Sequence, residues 1–267
     1  SLVVYSPVIH MVWGGGILAQ MGVLDFAGGL PIHLSAGASS YVAARMLGAR
    51  INDDSTPCNM AYVAAGTGIL WAGWFAFNGG SALAANSNAA LAIANTLLAS
   101  ASGAFGWLLL SRNSQKKITL LDTLIGGVAG LIVITPMAGY VDPIMSLPVG
   151  IVGAMASFLA VRFRIARKLD DTLDVWALHG VAGALGVILA GVFANPDFAS
   201  SAGIMYGNFS QVGIQAGAAA AVALYSAAAT YILLKAISLF TPLRVSSDDE
   251  QKGLDTAIHS ECLYYDK

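Results

Sequence analysis

The chain has 267 residues, 57% of them apolar and only 10% charged, with a net charge of −2 at neutral pH. Soluble domains carry about 25% charged residues, so an ordinary soluble globule is excluded. The slightly acidic balance offers no basic footprint, and no nucleic-acid partner is expected.

The charges are clumped. They leave charge-free runs at 1–24, 26–44, 55–111, 123–141, 143–161, 175–196 and 198–234. A helix needs about 20 apolar residues to cross the hydrocarbon core. The run 55–111 suffices for two crossings, with a turn between Asn78-Gly79-Gly80 and Asn86-Ser87-Asn88. The pattern predicts an all-α polytopic bundle with seven full spans, near 27–47, 60–81, 88–110, 119–140, 144–166, 175–194 and 213–239, and residues 1–13 as the end of an eighth. Barrel strands would be shorter and would alternate. The 30 glycines and the many alanines allow close helix packing.

Basic residues fall at Arg45/Arg50, Arg112/Lys116/Lys117, Arg162/Arg164/Arg167/Lys168, Lys235/Arg244 and Lys252/Lys267. Those places follow alternate spans, and the connections between them on the other side carry no Lys or Arg. Basic loops stay cytoplasmic, so a cytoplasmic C-terminus and an outer location for residues 14–25 are expected. Cys58 and Cys262 then lie on the reducing side, and no disulfide is expected. The chain opens inside an apolar segment without an initiator Met, which reads as part of a longer protein. Residues 1–241 read as the transmembrane domain and 242–267 as a polar cytoplasmic tail.

In chain order, the first candidate is Trp13, before Gly14-Gly15-Gly16 at the outer boundary. It reads either as an interfacial belt residue or as an aromatic wall attracting a small cation. Asp25 opens the next span, where it can cap free backbone N–H groups or draw a cation inward. Gly28-Gly29 and Pro31 suit a first helical turn, which sets His33 about two turns below the mouth. In Gly73-Trp74-Phe75-Ala76-Phe77-Asn78-Gly79-Gly80-Ser81 the aromatics read as packing or belt. Phe77 and Ser81 are one turn apart, so a ring and a hydroxyl acceptor can face one mouth. Asp174 can cap the sixth span, and His179 follows a little over one turn in. A lone buried histidine is usually a hydrogen-bonded core residue. Two on different spans favour a polar pathway, with neutral rings bonded to each other.

His10-Met11-Val12-Trp13-Gly14-Gly15-Gly16, Leu24-Asp25-Phe26-Ala27-Gly28-Gly29 through His33, Gly73 through Ser81, Asp174-Val175 through His179-Gly180, and the tail segments Leu243-Arg244-Val245 and Gly253-Leu254-Asp255 resemble the ammonium transporter (Amt/MEP/Rh) family, on its Amt branch. The likeness covers the C-terminal two-thirds of that family's pattern, from the end of helix 4 to helix 11 and the tail. The resemblance implies a fold of eleven helices in two inverted repeats, assembled as a homotrimer in the cell membrane, with the first half absent here. It implies His33 and His179 as twin pore histidines, Phe77 as one of two gating rings, Trp13 and Ser81 as the ammonium-recruitment site, and Asp25 as the essential outer aspartate. It also implies a possible partner, a PII-type regulatory protein at the cytoplasmic face. Pro31 departs from the pattern, which usually has a β-branched residue there, and this bears on the turn before His33.

Ammonium or ammonia transport is the reading these features favour, with lipid as the other contact and no enzyme activity or cofactor. An ammonium sensor of the same fold is the alternative, which a fused signalling domain would favour and which is the less expected reading for the sequence up to Lys267. A retinal protein is rejected because Lys235, the sole candidate lysine, lies near the end of its span. No His-Glu-x-x-His or cysteine cluster supports a metalloenzyme.

Overall fold

The computed structural model describes residues 1–51, 56–57, 59–115 and 117–261. The expectations for Cys58, Lys116, Cys262 and Lys267 lie outside them. Among the described residues the protein is helical, without strands. In chain order the α-helices are α1 (Tyr5–Trp13), α2 (Ile17–Gln20), α3 (Ser35–Leu47), α4 (Met60–Gly80), α5 (Ser87–Gln115), α6 (Leu120–Ile134), α7 (Pro143–Ala166), α8 (Ala182–Phe193), α9 (Ser210–Ser238) and α10 (Ser247–Lys252).

Among the described residues, six helical stretches are long and apolar enough to cross a membrane: α4, α5, α6 with its 3-10 extension to Met137, α7, α8 with its preceding turn from Trp176, and α9. The remaining expected span, 27–47, begins differently. A π-helical turn, Gly29–Leu34, runs directly into the 13-residue α3. A matching π-turn, Trp176–Val181, leads into α8. The two histidines lie one in each π-turn.

The sequence explains the boundaries. Thr119 and Asp122 form a capping box at the start of α6: the Thr119 hydroxyl accepts from Asp122 N–H, and the Asp122 carboxylate accepts from Thr119 N–H. Asn59 caps α4 in the same spirit. Pro143 opens α7, where its missing N–H costs nothing.

Packing follows the small residues. A Cβ added to Gly130 on α6 would lie 2.2 Å from the Ala99 carbonyl oxygen on α5, and one added to Gly150 on α7 would meet the same atom at 2.2 Å. Backbone contact of this kind supplies the dispersion that holds helices together where lipid removes the hydrophobic drive. One core fills the space among α5, α6, α7 and α8 around Leu131, Ile132, Val149 and Phe158. A second joins α1, the Gly29–Leu34 turn, α8 and α9 around Val8, Leu30, Val187 and Val222.

Connections expected on one side do meet. Arg50, after α3, pairs with Asp170, after α7, at 2.8 Å. Arg244, after α9, pairs with Glu250, whose carboxylate also accepts from Ile51 N–H at 2.7 Å. In the connections on the other side, Asp142, before α7, accepts from Asn195 and from the Tyr206 hydroxyl, both beyond α8.

Candidate functional site

The site begins with the approach of two backbones. A Cβ on Gly37, one turn beyond His33, would lie 2.2 Å from Gly180 Cα, next to His179. A Cβ on Gly183 would lie 2.7 Å from His33 Cβ. Bare glycines therefore let α3 cross the Trp176–Val181 turn at contact distance, which brings the rings together. His33 Nδ1 and His179 Nδ1 are 3.0 Å apart, with ring centroids at 5.1 Å.

This contact differs from a reciprocal pair. A single Nδ1–Nδ1 bond makes one ring the donor and the other the acceptor, so the neutral tautomers are opposite. His33 is 2% exposed, and its Nε2 has no partner among the described residues. His33 is thus buried and His179 half-buried, and the pair holds a ring nitrogen with no partner among the described residues.

The donors from Gly28 to His33, at the start of the turn, are accounted for one by one. Gly28 and Gly29 N–H donate to Asp25 Oδ1, both at 2.8 Å, and Leu30 N–H donates to Oδ2 at 2.7 Å. Pro31 has no N–H to place. Ile32 and His33 N–H both reach Gly28 O at 3.1 Å. Gly28 adopts φ 118°, open to glycine and costly for other residues. Thus Asp25 caps the turn, and Pro31 sits where a donor is dispensable. The π-turn is what the expected first α-turn becomes.

Asp25 also anchors the rim. Its main-chain oxygen accepts from Trp13 Nε1 at 2.8 Å, which fixes an indole that is 44% exposed. Phe77 is also exposed, and Ser81 partly so. The Ser81 hydroxyl donates back to Phe77 O at 2.9 Å, leaving its lone pairs to accept. Trp13 makes no ring contact with Phe77 among the described residues.

Trp74, which reads in sequence as belt or packing, belongs to the site. Its ring stacks on His33 at 5.4 Å and 15°, and meets Phe77 edge-on at 6.1 Å. Its indole N–H donates to Thr135 Oγ1 at 3.0 Å. A spacing of three between Trp74 and Phe77 on α4 is the signal that sequence offers for this.

Asp174 is corrected. It does not cap its helix: Trp176 N–H donates instead to Asp171 Oδ2 at 2.7 Å. Asp174 adopts φ 53°, which turns its carboxylate away to pair with Arg164 on α7. Aspartate tolerates that left-handed backbone better than most residues. No group of His, Cys, Asp or Glu among the described residues could hold a metal ion.

Fold and site together define a polytopic helical membrane protein built around two imidazoles in contact, with exposed aromatic rings at the rim. Residues 1–264 match the model of the Ammonium Transporter Family, and the chain belongs to that family. It is 43% identical over 265 residues to an ammonium transporter of Aquifex aeolicus, covering 99% of this chain and 62% of that protein. Its structure resembles Candida albicans Mep2 with a TM-score of 0.88 and 35% identity, over 93% of this chain and 58% of that one. It also resembles a structure described as a sensor Amt protein, with a TM-score of 0.87 and 30% identity, over 95% of this chain and 66% of that one. The chain spans somewhat less than two-thirds of the lengths of the first two.

Proposed function

We propose that the chain moves ammonium across the cell membrane as ammonia, with the His33–His179 contact as its conducting element. The 3.0 Å bond between the buried His33 ring and the half-buried His179 ring is the observation that carries this reading. A bare cation in an apolar conduit is very costly, and neutral ammonia far less so. The steps follow from that difference. Trp13 attracts the cation through its ring face, worth roughly 0.5–2 kcal/mol. Ser81, its own proton already committed to Phe77 O, accepts from the ion in place of water. The carboxylate of Asp25 adds a negative field beneath the rim. Ammonium loses its proton near Asp25 and the Phe77 gate. Ammonia then passes the ring edges, where His33 Nε2 is free to bond it. The proton follows separately along the histidines.

In this reading residues 1–241 form the membrane domain and 242–267 a cytoplasmic tail, the protein works as a homotrimer, and a PII-type protein meets the cytoplasmic face. A sensor role is the second reading, favoured by the likeness to the sensor Amt structure.

The test is ammonium-driven current through the complete gene product in a supported membrane, with potassium as the control cation. The wild type is expected to carry ammonium current. H33A and H179A are expected to lose most of it while folding normally. Undiminished flux in both variants overturns the relay, and no wild-type current overturns transport.

A further inference from the structure

Asp25 and Trp13 hang on an irregular stretch. Residues 23–25 belong to no helix, so their backbone groups need outside partners. Inside a membrane protein an unpartnered peptide group is costly, because lipid offers it no hydrogen bond. Val23 N–H donates to Leu18 O at 3.1 Å, Asp25 O accepts from Trp13, and the partners of Leu24 between them come from α9. Gln215 is fully buried, and its side chain pairs with both backbone groups of one residue 191 positions away. Its Oε1 accepts from Leu24 N–H at 2.8 Å, and its Nε2 donates to Leu24 O at 2.6 Å. The same Nε2 donates to Val187 O on α8 at 3.0 Å. Gln211, one turn earlier and 1% exposed, donates to Gly22 O at 2.9 Å. Its Oε1 accepts from the Ser201 hydroxyl at 3.0 Å.

Gln215 thus imitates a neighbouring strand and locks Leu24 against α8 and α9. The next residue, Asp25, sends one connection to Trp13 and three to the turn that bears His33. Phe26 N–H, one further on, donates to Pro136 O at 2.9 Å. Leu24 is therefore the fixed point from which the rim and the histidine turn are both measured.

We infer that Gln215, assisted by Gln211, is a positioning residue of the recruitment rim, and that it sets ammonium affinity through Leu24 and Asp25 without touching the ion. This rests on the transport reading. A displacement of the recruiting groups weakens capture, which raises the half-saturating concentration more than it lowers maximal flux.

The test uses the complete gene product in proteoliposomes, with methylammonium and ammonium as probes. Q215L is expected to raise the half-saturating ammonium concentration about tenfold, with maximal flux within about twofold of wild type. Q211L, which removes fewer bonds, is expected to shift it about twofold. V222A, in the same apolar cluster on α9 but without a bond to the rim, is the packing control. It is expected to lower stability and leave half-saturation unchanged. Hydrogen exchange of residues 22–33 in lipid gives a readout independent of flux. Q215L should accelerate it, and V222A should not. Unchanged exchange in folded Q215L overturns the inference, as does an equal half-saturation shift in V222A. Accelerated exchange alongside a wild type that carries no ammonium upholds the clamp and overturns the transport reading instead.

Discussion

The indole N–H of Trp74 donates to the hydroxyl of Thr135 at 3.0 Å, and that bond holds the ring flat against His33. The acceptor is itself fixed, since Thr135 donates to Leu131 O within its own helix at 2.8 Å. A residue on α4 and one at the end of α6 therefore decide how the imidazole pair is walled.

Replacing that acceptor tests the wall. We predict that T135V destabilises the protein by about 1–3 kcal/mol, the cost of leaving a buried indole donor unpaired. The variant should also reduce ammonium flux, because an unpinned Trp74 no longer confines His33. Thermal unfolding in detergent reads the first effect. Equal stability of T135V and wild type would show the bond to be idle.

A methyl group at the helix crossing tests the approach. G37A places a Cβ 2.2 Å from Gly180 Cα, so backbone must move. The expected cost is about 1–3 kcal/mol, with a separation of the two Nδ1 atoms beyond hydrogen-bond reach. A structure of G37A that retains the 3.0 Å contact would refute this.

The cap at the histidine turn has its own test. D25A strips the acceptor from three N–H groups at once. We predict a loss of about 2–3 kcal/mol, more than for a single neutral hydrogen bond. D25N keeps one acceptor oxygen and should fall between D25A and wild type in chemical denaturation. Identical midpoints for D25A and wild type would contradict the capping role.

At the opposite end, the Arg50 guanidinium holds the Asp170 carboxyl below its ordinary value of 3.8, despite partial burial that acts the other way. A carboxyl depressed by folding contributes stability at pH above that ordinary value and loses it as pH falls through the lowered one. Arg50 is one-third exposed, so the contribution is modest, about 0.5–1 kcal/mol. D170N should therefore be less stable than wild type at pH 7, and the gap should narrow as pH falls below the ordinary value of 3.8. A gap that widens on acidification would reverse the sign of this argument.

Much of the architecture is written in the arrangement of apolar and charged residues. A span must be long and uncharged, and basic connections must share a side. The pairing of Arg50 with Asp170 and of Ile51 with Glu250 is the spatial form of that rule. His33 and His179 stand out because an imidazole is rare in such runs. Asp174 misleads because Asp171, three residues earlier, competes for the same cap, and only backbone torsion decides between them. The π-turns leave no trace in an apolar pattern that every helical pitch satisfies.

What the amino-acid order determines by itself is therefore local and periodic: the helices, their alternation, the family motifs and the polar residues placed inside apolar segments. The tertiary structure alone decides which of those polar residues meet. The 146-residue separation of the imidazoles is closed by two glycine backbones, Trp74 is recruited from a row of similar aromatics, and Gln215 reaches Leu24 from across the chain. The physical reason is that a hydrogen bond or a ring contact acts over a few ångströms of space, and distance along the polypeptide does not measure it.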